Sequence, residues 1–133
     1  MINNIKERIK EYSEMIEKYP EIKEFHIERA KLYCEINEYE KAVEDFKKTL
    51  EGYYACQNIA RVCEETGFNK EAEKFYTKAI NKDKNNINSY INRLYFYMRI
   101  REMEKAISDC KAILKLSPKE ETILNLKRIL TGK

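Results

Sequence analysis

Glycine and proline are nearly absent from this chain: 3 and 2 among 133 residues. A sandwich or barrel needs many more turn residues, so the shortage points away from β architecture and toward long helices joined by short turns. Tryptophan is missing and His26 is the only histidine. There is no Gly-rich phosphate loop, GxSxG or HExxH pattern, and no CxxC. These gaps remove the common signatures of nucleotide binding, serine hydrolysis, zinc proteolysis and dithiol chemistry. No run of five like charges occurs, which argues against nucleic acid and anionic membrane as partners. The longest apolar run, Leu94 to Met98, is too short to cross a bilayer. The opening stretch, Met1 to Arg8, lacks the apolar core of a signal peptide, so the expected location is cytoplasmic.

What is present is charge and apolar residues in alternation. Charged residues make up 37% and hydrophobic ones 43%, with a net charge of +3. A chain this long buries about 68% of its unfolded surface when folded, enough for one domain. The apolar content is too high for disorder.

The spacing then shows a repeat. Ala42, Ala72 and Ala106 each follow a charged pair. Phe46, Tyr76 and Cys110 come at i+4 from those alanines, and Leu50, Ile80 and Leu114 at i+8. Positions i, i+4 and i+8 form one face of a helix. Upstream lies a second stripe: His26, Cys56 and Tyr90, then Ala30, Ala60 and Leu94, then Tyr33, Cys63 and Tyr97. Each repeat is therefore a pair of helices, with turns near Asn37, Gly67 and Arg101. The small alanine lets two antiparallel backbones approach. One pair cannot bury both of its faces, so pairs must stack.

The 34-residue spacing of Ala72 and Ala106, the aromatics and Pro118 after the third pair resemble the tetratricopeptide repeat (TPR) family. Tyr90-Ile91-Asn92-Arg93, Tyr97 and Glu104-Lys105-Ala106-Ile107 look especially like such a repeat. The expected fold is all-α, an α-solenoid of stacked antiparallel helix pairs. Three TPR-like repeats span 23–52, 53–86 and 87–120. An N-terminal helix covers 1–19 and a capping helix covers 119–131, giving one domain over 1–133 with seven or eight helices. The chain departs from the pattern in places. Ala42 stands closer to Ala72 than Ala72 does to Ala106, so the first repeat lacks a helical turn at Glu51-Gly52. Phe68 sits one position earlier than its counterparts, Lys84 replaces a proline, and Arg29 and Arg93 stand where leucine is common.

Few residues could carry chemistry. His26 falls on the packing stripe of the first pair, which favours a core role. Cys56 and Cys63 share a helix face, but the helix rises about 10.5 Å between them, too far for a disulfide or a shared ion. Cys63 and Cys110 occupy core positions, whereas Cys34 is expected to be partly exposed. No catalytic residue, metal site or cofactor is expected, and the chain reads as a non-enzyme.

The resemblance implies that the first helix of each pair lines a concave groove that holds an extended peptide or partner helix. The register then selects Ile27, Glu28, Lys31 and Cys34 in the first repeat. It selects Gln57, Asn58, Arg61 and Glu65 in the second, and Ile91, Asn92, Tyr95 and Arg99 in the third. Of these, Lys31, Gln57, Asn58, Arg61, Asn92, Tyr95 and Arg99 are the expected ligand contacts. Asn58 and Asn92 either bind a peptide backbone or serve the repeat itself. TPR domains that recognise chaperone tails use a clamp of Lys, Asn, Asn, Lys and Arg. Only Asn58 matches it: Ile27, Lys31, Asn88 and Asn92 occupy the other sites, so that specificity is not expected. The partner is a protein or peptide. The alternative is a structural scaffold that self-associates weakly through its terminal helices. The stripe of Ile5, Ile9, Tyr12 and Ile16, with Met15 and Tyr19 beside it, is wide enough to support that.

Overall fold

The computed structural model describes residues 2–49 and 52–132. Eight helices follow in order: α1 (Ile2–Lys18), α2 (Lys23–Glu35), α3 (Tyr39–Lys47), α4 (Gly52–Glu65), α5 (Asn69–Lys82), α6 (Ile87–Arg99), α7 (Met103–Leu116) and α8 (Glu121–Thr131). No strand occurs among the described residues. The expected all-α class and helix number hold. Leu50, on a packing stripe, and Glu51, at the expected shortening, lie outside the described residues. The shortening is nevertheless visible in α3, which has 9 residues where α5 and α7 have 14.

Two compact bodies divide the chain, Met1–Phe75 and Tyr76–Lys133, and α5 runs through the boundary. In the first body α2 packs between α1 and α3, and α4 lies against both α2 and α3. In the second, α7 packs between α6 and α8.

Three turns share one backbone solution. Asn37, Gly67 and Arg101 all adopt positive φ, at 63°, 88° and 63°. In each turn the next residue donates its N–H back across the helix end: Glu38 to Tyr33, Phe68 to Cys63 and Glu102 to Tyr97, each at 2.8 Å. That is the wide closure of a left-handed helix cap, in which one N–H spans the whole last turn. The residue that donates also starts the next helix, accepting from the N–H of Ala42, Ala72 or Ala106. One left-handed residue thus ends one helix and aims the next.

The alanines sit where the stripes place them. Ala30, Ala42, Ala60, Ala72 and Ala106 are fully buried. Phe46, Ile59, Leu94, Phe96 and Ile113 fill the cores beside them. Burying such a side chain stabilises by about 1.5–3 kcal/mol. Tyr12 meets Phe25 at 6.3 Å between ring centroids, which helps hold α1 on α2.

The cysteines are all free thiols and all buried. Cys34, expected to be partly exposed, is 1% exposed. The reason is that α2 is flanked by α1, α3 and α4, so its buried arc is wider than one stripe. Burial pushes the Cys34 thiol up to about 12, and it also raises Cys63 and Cys110.

Candidate functional site

Among the described residues one polar constellation occurs twice. In the first body Arg29 on α2 donates from Nε to Asp45 Oδ2 at 2.7 Å and from Nη2 to Asp45 Oδ1 at 2.6 Å. Its remaining nitrogen donates to Ser13 Oγ on α1 at 3.0 Å. In the second body Arg93 on α6 does the same to Asp109 on α7, at 3.0 and 2.6 Å, and to Thr77 on α5 at 3.1 Å. Each guanidinium also lies over a tyrosine, Arg29 over Tyr33 at 5.6 Å and Arg93 over Tyr97 at 5.5 Å. A lysine from the next helix approaches the same ring: Lys41 at 5.8 Å and Lys105 at 5.6 Å. The two clusters share one internal spacing: Ser13, Arg29, Tyr33, Lys41 and Asp45 are matched in step by Thr77, Arg93, Tyr97, Lys105 and Asp109.

This geometry clamps helices rather than performing chemistry. A forked guanidinium against a carboxylate fixes both distance and angle between the helices that carry them. Asp45 and Asp109 are each 2% exposed as side chains. Hydrogen bonding to Asp45 holds Arg29 above its ordinary value despite burial. Burial lowers Arg93, but the Asp109 bonds outweigh it and leave it raised. Burial pushes the Asp109 carboxyl up, with Arg93 pulling it back only in part. Ser13 is no nucleophile here, because its Oγ donates to the Ile9 carbonyl at 2.8 Å while accepting from Arg29. His26 is buried, with Nδ1 3.3 Å from Asp45 Oδ1, as its place on the packing stripe implies. Among the described residues no three His, Cys, Asp or Glu side chains could hold a metal ion together. No described helix is long and apolar enough to cross a membrane.

The expected ligand contacts divide between the bodies. In the first, α2 and α4 are neighbours. Lys31 on α2 is exposed and pairs with Glu28 at 3.5 Å. On α4, Arg61 is exposed and Asn58 is half-buried, its amide donating to the Tyr54 carbonyl at 3.0 Å. Tyr54 itself is 45% exposed and packs against Tyr53 with centroids 4.1 Å apart. Gln57 differs from expectation: it is buried, and every buried side-chain polar atom among the described residues has a hydrogen-bond partner. It therefore belongs to the packing of α4, not to a solvent-facing site. In the second body α6 presents Tyr95 and Arg99 to solvent, with Asn92 half-buried one turn before. Tyr54, which the repeat register does not select, shares the face of Asn58 and Arg61 at i, i+4 and i+7.

Comparison with known proteins fits this arrangement. Tetratricopeptide repeat models match residues 55–87 and 87–120. No curated protein matches in sequence. Among solved structures, MamA is similar with a TM-score of 0.61 and 17% identity, over 93% of this chain and 75% of that one. A second MamA structure gives 0.58 and 18%, over 98% and 75%. The first TPR of Spaghetti (RPAP3), bound to the HSP90 peptide SRMEEVD, gives 0.54 and 18%, over 83% and 93%. At these identities the likeness carries the fold, an all-α chain resembling tetratricopeptide solenoids. From its two adjacent repeat matches over residues 55–120 and its recurring alanine crossings, this chain belongs to the tetratricopeptide repeat family.

Proposed function

We propose that the chain is a protein-interaction module that holds an extended peptide or partner helix on the exposed faces of its first helices, within each body by itself, and catalyses nothing. The observation that carries this reading is the recurrence of half-buried Asn58 and Asn92, one full repeat period apart, each sharing a helix face with an exposed arginine and an exposed tyrosine. A side-chain amide can donate to and accept from a peptide backbone, while an exposed tyrosine adds apolar contact. Lys31, Arg61 and Arg99 favour an acidic ligand over a basic one. The peptide bound by the Spaghetti (RPAP3) TPR supports the class of partner. It does not extend to chaperone tails, since only Asn58 stands at a matching clamp position.

The test is affinity capture with the full chain and with Asn58→Ala/Asn92→Ala, followed by calorimetry on the partner recovered. The double variant should bind about tenfold more weakly while melting within a few degrees of the parent. Unchanged affinity would move the site elsewhere.

Self-association through the terminal helices is the second reading. Met15 and Tyr19 are 36% and 43% exposed at the end of α1, beside Glu11, Glu14 and Lys18. Sedimentation across a wide concentration range decides it. A constant monomer mass removes it.

A further inference from the structure

The clamp positions carry a message about α8. Helix α8 begins at Glu121, one full repeat period after α6 begins at Ile87. In that register Lys127 stands where Arg93 stands, and Lys111 stands where Thr77 stands. Arg93 reaches back to Thr77 and forward to Asp109 on the helix that covers it. Lys127 lines an open cleft of about 420 Å³ together with Lys111, Leu124, Arg128 and Thr131. Three of these five carry positive charge and none is acidic. The forward carboxylate that Arg29 and Arg93 both have is supplied to Lys127 by no ion pair among the described residues.

We propose that this open face of α8 seats an amphipathic helix of a partner protein, one that brings a carboxylate to Lys127. The two internal clamps define the chemistry of that helix. In both, the covering helix bears alanine, then aspartate at i+3, then an apolar residue: Ala42, Asp45 and Phe46, or Ala106, Asp109 and Cys110. The carboxylate meets the cation, and the apolar residue adds to Leu124, which is 38% exposed. The small residue leaves room for Arg128, which stands where Ala30 and Leu94 stand in the internal pairs. A second copy's α1 is a poor occupant. Its Glu11 has the right register, but Arg8 falls at the small-residue site and would meet Arg128. This site is separate from the α2, α4 and α6 faces, so either can fail without the other.

The probe is a labelled synthetic peptide of residues 103–116, the segment that covers Arg93, kept reduced and titrated with the full chain at low salt. It should bind, and its Asp109→Asn form should bind several-fold more weakly. Lys127→Glu/Arg128→Glu in the chain should weaken the parent peptide about tenfold or more, equivalent to about 1.4 kcal/mol, with unchanged helical circular dichroism. Lys31→Glu/Arg61→Glu should leave this binding alone. Equal binding of the Asp and Asn peptides would overturn the proposal, as would indifference to charge reversal on α8 or loss through the Lys31 and Arg61 variant. Concentration-dependent self-association abolished by Glu11→Lys would instead make the occupant a second copy.

Discussion

Removing Arg93 alone would strand the Asp109 carboxylate in a packed interface, where it is 2% exposed. Breaking such a pair costs about 3–5 kcal/mol, and the partial exposure of the guanidinium places Arg93→Ile at the lower end. Ile59 and Phe75 hold the corresponding positions one repeat period earlier, so the chain itself uses an apolar pair at this site. Arg93→Ile with Asp109→Phe should therefore recover most of the loss in urea denaturation. The thiols give a pH prediction. Cys34, Cys63 and Cys110 are all raised by burial in the folded state. A raised folded value means that their contribution is complete below the ordinary thiol range. It is lost as pH rises from about 8.5 toward the folded value, about 12 for Cys34. Stability should fall over that window, and native thiols should resist alkylation at pH 8. Replacing the three by Ser or Ala should flatten the slope. Much of this scale was legible: His26, Cys63 and Cys110 follow from the packing stripes. The clamps were not. Arg29 and Arg93 read as misplaced residues because their partners lie on other helices, across a turn, and helical periodicity carries no information over a turn. The identical spacing of Ser13, Arg29 and Asp45 with Thr77, Arg93 and Asp109 was the available signal. Gln57 failed for another reason. Periodicity gives the direction of a buried face but not its width, and α4 packs on both α2 and α3.

At the scale of the element, the turns are the sharpest determinant. Gly67 has φ +88° with nothing within 4 Å of where a Cβ would stand. Gly67→Ala therefore tests backbone strain free of steric contact, and should destabilise by about 1 kcal/mol. Arg101 adopts the same region with a side chain attached, at φ 63°. Arg101→Gly relieves that strain but adds freedom to the unfolded chain, so a gain of a few tenths of a kcal/mol is expected. Thermal melts of the two variants should move in opposite directions. Gly67 announces its turn in the sequence; Asn37 and Arg101 do so only through their equivalent places in the repeat. Pro20 directly follows the N-terminal helix expected over 1–19 and marks the break between α1 and α2. The short α3 was readable from the reduced spacing of Ala42 and Ala72, although that spacing alone could not say which helix lost the turn.

For the whole molecule, the alanine crossings set the tolerance to change. Ala72 is fully buried, and Ala72→Leu should overpack its crossing at a cost of about 1–3 kcal/mol. A chemical denaturation midpoint that does not move would remove Ala72 from a tight contact. The family and the all-α fold were legible because a repeat states its own period several times over. The partner was not, because a binding face is defined by what it leaves uncovered, and a sequence records only what is there. The four buried thiols have one more consequence. Cys34, Cys56 and Cys63 belong to one compact body and Cys110 to the other. A thiol sealed in a core reacts only during the moments when its surroundings open. The rate at which each cysteine is modified in native buffer is thus a clock for the opening of its own body, built into the chain without any label being added.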